Sequence, residues 1–199
     1  MVKKILLLLS LVLSFSANLK ASEVIGSVDD HIDVKDRYMD LKSFAYNVAE
    51  KKKWSLIISN DVSVPQREAV GDTIKEVLDN FCRNSEFNWR FVEGCLYIAN
   101  KRELTTFFKQ LPMLELQLPG NTNKNAIYSG YFKNIDFSML CLFLSSVSGT
   151  QIRVANGFEA SIMMRVSEMP WKHVLLAVVH LNRYKLNISD FSVLISPEN

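Results

Sequence analysis

The feature that most constrains this chain is an internal repeat at an offset of 96–97 residues. The first copy opens on Asp40-Leu41-Lys42-Ser43-Phe44-Ala45-Tyr46-Asn47-Val48-Ala49 and runs into Trp54-Ser55-Leu56-Ile57-Ile58. The second opens on Asp136-Phe137-Ser138-Met139-Leu140-Cys141-Leu142-Phe143-Leu144 and runs into Thr150-Gln151-Ile152-Arg153-Val154. Leu41, Phe44, Ala45 and Val48 recur at helical spacing, as do Phe137, Leu140, Cys141 and Leu144. Asp40 and Asp136 stand where an N-cap belongs. Gly149 suits the left-handed residue that closes a helix, whereas the first copy ends on Lys51-Lys52-Lys53, cations at the negative end of the helix dipole.

The correspondence continues. A second helical stripe, Ile74, Val77, Leu78 and Phe81, is matched by Trp171, Val174, Leu175, Val178 and Leu181. Thr73 can cap the first, and Pro170 suits the opening of the second. Each helix gives way to two strands, 87–91 and 95–99 in the first copy, 184–188 and 192–195 in the second. A short strand before each second helix alternates at Ile162, Met164 and Val166, while its counterpart contains Pro65 and reads as an edge or a bulge. The expectation is an α+β fold of two tandem β-α-β-β-α-β-β units, each with two helices packed on small mixed sheets. The units span 23–100 and 125–199, joined by a linker at 101–124. Within that linker Leu114-Glu115-Leu116-Gln117-Leu118 alternates, as an added edge strand or a surface-lying connector would. If extended, Leu114, Leu116 and Leu118 share one face and form a candidate partner-binding strip, the alternative being that they cover the chain's own core.

The N-terminus reads as an export signal. Lys3 and Lys4 precede an apolar run, Ile5 to Phe15, and Leu19-Lys20-Ala21 offers a cleavage site. A span needs about 20 residues, so a run of eleven is a secretory core, with an uncleaved anchor as the alternative. No cysteine follows it directly, which excludes a lipoprotein. With 1–22 removed as a signal peptide, a soluble periplasmic chain without a membrane span is expected. The full sequence has 23 Lys and Arg against 21 Asp and Glu. Three of those bases leave with the leader, so the mature chain has no electrostatic footprint for nucleic acid.

Export permits disulfides. Cys82 and Cys95 are the candidate pair, while Cys141 stands in an apolar stretch, and three cysteines cannot complete a framework. All three also suit a core as small hydrophobes. His173 and His180 share a helical face opposite the Trp171/Val174/Leu175/Val178 stripe, with no carboxylate at helical spacing, and read as solvent-exposed. Asp29, Asp30, Asp33 and Asp36 lack the glycine and closing glutamate of a calcium loop. Lys51-Lys52-Lys53-Trp54 reads as a solvated helix end. No phosphate loop and no nucleophile elbow occurs. No catalytic, cofactor-binding or metal residue is expected, and no small-molecule substrate.

The segments 132–136 and 147–154 resemble the short N-terminal domain shared by bacterial secretins and TonB-dependent transducers. More specific is Met169-Pro170-Trp171-Lys172-His173-Val174-Leu175-Leu176-Ala177-Val178-Val179, followed by Leu186-Asn187-Ile188 and Val193-Leu194-Ile195-Ser196-Pro197. It is similar to the proline-tryptophan helix entry and final strand pair of that domain, especially in secretins of type IV pilus and type II secretion systems. The first copy resembles it less, lacking the glycine after helix one and the proline-tryptophan pair, and Lys172-His173 stand where the family shows an acid. The resemblance implies two helices between small sheets and a binding module, not an enzyme. Its partners would be secretin, pilus or secretion-complex proteins, or further copies in a ring. A secretin continues into a long Gly-rich barrel domain and this chain ends at Asn199, so an accessory module of pilus biogenesis, type II secretion or competence is expected in place of the channel. A signalling module that contacts an anti-sigma regulator, as in TonB-dependent transducers, is the second expectation, and a periplasmic hydrolase the third.

The signal reading makes a direct prediction. N-terminal sequencing of the periplasmic form starts between about Asn18 and Glu23. Intact Met1 in the cytosol would contradict it.

Overall fold

A computed structural model describes residues 26–33, 38–118, 126–189 and 192–198. The signal segment 1–22 and the Asn121-Thr122-Asn123 part of the linker lie outside the described residues. The fold is α+β, with short helices and strands arranged in small sheets.

The first unit begins with β1 (Tyr38–Met39) and α1 (Leu41–Lys52). The Asp40 carboxylate caps α1 by accepting from the Ser43 N–H at 2.9 Å. The helix turns Leu41, Phe44, Ala45, Val48 and Ala49 inward, and Tyr46 is buried as well. It ends at Lys53, which adopts φ 57°, the left-handed conformation that Gly149 takes at φ 70° in the second unit. Then follow β2 (Ser55–Ile58), β3 (Arg67–Glu68), α2 (Ile74–Cys82), β4 (Phe87–Val92) and β5 (Cys95–Asn100). A reciprocal capping box between Thr73 and Glu76 starts α2.

Helix α3 (Lys101–Gln117) connects to the second unit. This corrects the extended reading of the linker. Asn100 caps the helix by accepting from Arg102 N–H, and Leu104, Phe107, Leu111 and Leu114, three or four residues apart, turn toward the second unit's core. The leucine alternation over 114–118 is a short-window coincidence within this longer helical period. Pro112 lies inside the helix, which its missing N–H and ring oppose; burial of the neighbouring apolar side chains outweighs that local cost.

The second unit runs β6 (Ile127–Asp136), α4 (Phe137–Ser148), β7 (Gln151–Val154), β8 (Ser161–Pro170), α5 (Trp171–Leu181), β9 (Tyr184–Ile188) and β10 (Ser192–Pro197). Its pairing copies the first. β1–β3 and β6–β8 are antiparallel, β2–β5 and β7–β10 parallel, β4–β5 and β9–β10 antiparallel. The duplication seen in sequence is therefore a duplication of topology.

One pairing has no counterpart within a unit. β2 lies antiparallel to β8, with Leu56 opposite Arg165, Ile57 opposite Met164 and Ile58 opposite Met163. It fuses the three-stranded sheet of unit one with the antiparallel β6–β8 pair of unit two into one sheet of order β4-β5-β2-β8-β6, leaving β7-β10-β9 separate. Strand alternation then sends side chains to two cores. Leu56, Ile58, Leu96 and Ile98 join α1 and α2, whereas Ile57, Cys95, Tyr97 and Ala99 join the core of the second unit. Side chains reinforce the junction: Ser167 N–H donates to Ser55 Oγ at 3.1 Å, Asn60 N–H to Asn182 Oδ1 at 2.6 Å, and Asn60 Nδ2 to Tyr184 Oη at 3.1 Å. No helix among the described residues is long and apolar enough to cross a membrane.

Trp171 is fully buried at the start of α5, directly after β8. Trp171→Ala removes its indole at a cost of about 3–5 kcal/mol. Because β8 also completes the sheet of unit one, the variant is expected to unfold in one transition about 10 °C lower. Calorimetry showing two transitions, only one of them shifted, would overturn that coupling.

Candidate docking surface

The repeat makes it possible to compare an occupied sheet edge with its open counterpart. In unit one, Ser55 N–H donates to Gly94 O and Ser59 N–H to Ile98 O, both on the β5 side. By strand alternation, Leu56 and Ile58 therefore aim their main-chain groups at β8. Beside this edge, Tyr46 on α1 is only 7% exposed, and the Lys133 ammonium of β6 lies 4.9 Å from its ring centre. The β6–β8 strand pair thus covers both an edge and a helix flank.

In unit two β7 pairs with β10 alone among the described residues. Ala155 N–H donates to Ile195 O, so Ile152, the counterpart of Leu56, points its N–H and carbonyl away from β10. The Ser145 hydroxyl of α4 occupies that position. Its Oγ accepts from Ile152 N–H at 2.9 Å, and its one hydrogen is shared between the carbonyls of Cys141, at 2.8 Å, and Ile152, at 3.3 Å. The position equivalent to Ser145 in unit one is Ala49, which has no hydroxyl.

The helix flank beside β7 is apolar and open. Leu142, the counterpart of Tyr46, is 59% exposed, with Met139 and Phe143 exposed on either side of it along α4. Phe143 stacks on Phe132 of β6, ring centres 6.2 Å apart. Arg153, exposed on β7, is the counterpart of buried Ile57. The carboxamide oxygen of Gln151, turned toward it, accepts from its guanidinium.

The sequence placed the partner-binding strip elsewhere. Leu114 packs against the core, Leu118 is 2% exposed, and Leu116 is 80% exposed. Helical geometry turns Leu116 away from Leu114 and Leu118, so the three form no common strip. The signal for α4 was present in the run Met139-Leu140-Cys141-Leu142-Phe143-Leu144, apolar on every face.

The cysteines do not converge. Cys82 packs in the first core and Cys95 in the second, and both are free, as is buried Cys141. The candidate bridge fails because the sheet lies between the two cores. Burial pushes the thiols up, Cys82 to about 11 and Cys95 and Cys141 to about 12, so all three stay protonated near neutrality.

A second grouping lies where α3 crosses α5. Tyr97 Oη is 2.7 Å from His173 Nε2, and Glu115 Oε1 is 3.6 Å from His173 Nδ1, beside a cleft of about 320 Å³ that Cys95 also lines. This corrects the reading of the histidines as solvent-exposed. Both are partly buried, with the Phe107 ring 5.8 Å from His173 and 6.4 Å from His180. A two-helix unit leaves that face of α5 open, and α3 covers it. Burial lowers the pKa of each histidine and raises that of Tyr97. The tyrosine therefore keeps its proton, and its hydroxyl shares a hydrogen bond with His173 Nε2 while the other ring nitrogen faces Glu115. This chain of contacts ties β5, α5 and α3 together. Among the described residues, no three His, Cys, Asp or Glu gather where they could hold a metal ion.

No protein-family model matches the sequence, and no curated protein matches it.

The histidines set a pH dependence. A histidine whose folded pKa is depressed binds its proton more readily unfolded. Its stabilising contribution is complete above the unfolded value of about 6.5 and declines as pH falls through it toward the lower folded value. Denaturant unfolding from pH 8 to 5 is expected to show stability falling below about pH 6.5. His173→Gln is expected to make that fall shallower, with His180 supplying the remainder; an unchanged slope would show that His173 contributes nothing to it.

Proposed function

We propose that this protein is a non-catalytic docking module of a secretin-based export system, acting in the periplasm at an outer-membrane complex of pilus biogenesis, type II secretion or competence. The observation that carries this reading is the β2–β8 pairing, in which one unit binds the next by strand addition at a sheet edge. A second edge of the same construction lies on β7, beside the exposed apolar flank of α4. The sequence resemblance to the secretin N-terminal domain supplies the context, and the protonated thiols and the structural tie between Tyr97 and His173 fit a binding role. Partners are proteins of the exporter.

The test is a photocrosslinking amino acid at Leu142 in cells that assemble such a machine, with adducts identified by mass spectrometry. Adducts with a secretin or pilus-assembly protein are expected. Adducts with an anti-sigma regulator alone, or with cytoplasmic proteins alone, would replace this reading.

A further inference from the structure

The β2 edge and its α1 flank are an occupied copy of the β7 edge and its α4 flank. We infer that the β7 edge takes an antiparallel strand from another protein, one that is apolar toward α4 and carries a carboxylate opposite Arg153, and that the Ser145 hydroxyl is a plug which this strand displaces. This rests on the docking reading and specifies its partner.

The geometry is transferable because each participating position has a counterpart. Leu56, which turns its main-chain groups to β8, becomes Ile152, and Ile57 becomes Arg153. Ala49, which leaves the edge of β2 open for β8, becomes Ser145, whose hydroxyl satisfies Ile152 N–H in the absence of a strand. An unpaired edge is an aggregation hazard, and a side-chain hydroxyl that satisfies it locally is a low-cost protection. Such a plug is reversible: an incoming main chain replaces its bond with bonds of the same kind and adds the burial of Leu142, as its counterpart Tyr46 is buried beside the occupied edge.

Charge selects the occupant. In the β2–β8 register Ile57 lies opposite Met164. Transferred to β7, the incoming residue lies opposite Arg153, an exposed guanidinium with Gln151 as its neutral partner. The chain's own strand in the equivalent donor position is β3, which is only two residues long and whose Arg67 is turned to its own unit, donating to Phe81 O and lying 5.3 Å from the Phe81 ring centre. A second copy is therefore a poor fit, and a strand with Asp or Glu at that position a good one.

The probe is a fluorescein-labelled peptide of residues 160–167, the chain's own β8 segment, carrying Met164→Glu opposite Arg153 and Arg165→Leu, so that Met163 and the new leucine face α4. Binding to the full chain is read by anisotropy, and its location by hydrogen exchange. The amides of Ile152 and Val154 are expected to gain protection. Ser145→Ala is expected to bind about fivefold more tightly, since the competing hydroxyl bond is gone. Arg153→Glu, a surface change that leaves the core untouched, is expected to lose the preference for the Met164→Glu peptide and to favour a Met164→Lys peptide. That arm decides the matter even if Ser145→Ala fails to fold. Protection confined to Leu56 and Ile58 would overturn the inference, as would no protection at Ile152 in any variant, or a peptide preference indifferent to residue 153. Self-association of Ser145→Ala without peptide would assign the edge to a second copy and overturn the choice of partner. Failure of the peptide test alongside exporter adducts at Leu142 would leave the docking reading intact and remove strand addition from it.

Discussion

The antiparallel pairing of β2 with β8 is the interaction on which the rest of the structure depends. Without it, each unit would be two helices between a three-stranded sheet and a two-stranded antiparallel pair, with exposed edges on both. With it, β2 becomes an interior strand and all four of its residues are buried. The same event fixes the two cores. Successive residues of β2 and β5 point to opposite faces, so placing helices on both faces buries every side chain of β2. Unit one thus supplies Ile57, Cys95, Tyr97 and Ala99 to the core of its neighbour.

Helix α3 completes the second of these cores. The outer faces of β5 and α5 carry Tyr97, His173 and His180, polar groups that would otherwise meet solvent beside apolar neighbours. Phe107 and Phe108 lie over them, and the ring contacts of Tyr97 with both phenylalanines hold the helix across the junction. Burial then keeps the histidines neutral and Tyr97 protonated, which lets one neutral hydrogen bond satisfy two partly buried groups. The same burial leaves the neighbouring Cys95 thiol protonated.

At three positions the two copies differ as their surroundings do. Position 46/142 is a tyrosine beneath the neighbouring β6–β8 strand pair in one copy and an exposed leucine in the other. Position 49/145 is an alanine at an occupied edge and a serine at an open one. Position 57/153 is a buried isoleucine between paired strands and an arginine on the surface. Each substitution follows what covers the site. The serine answers a backbone group that has no strand to bond, and the arginine answers solvent on a face where the first unit meets a core.

Much of the architecture was legible in the sequence. The apolar stripes of α1, α2, α4 and α5, their Asp40, Asp136 and Thr73 caps, and the alternation in the strands are local signals, and the structure shows every one of those elements. The element order within each unit follows from the repeat, because two copies of one pattern constrain each other. The extended reading of 114–118 failed because five residues of alternation cannot be told from part of a helical period when the deciding side chains, Leu104 and Phe107, lie a turn or more upstream. The histidines were misplaced because exposure was judged against one helix, while the covering α3 comes from another part of the chain. The disulfide candidate failed because spacing says nothing about which side of a sheet a cysteine faces. What the sequence by itself determined was the pair of β-α-β-β-α-β-β units, since hydrophobic period and capping act within a few residues. What only the tertiary structure decided was the joining of β2 to β8, and with it which edge was filled and which was left to Ser145. Strand edges are bonded by backbone groups common to all residues but proline, and only three-dimensional proximity determines which strands meet.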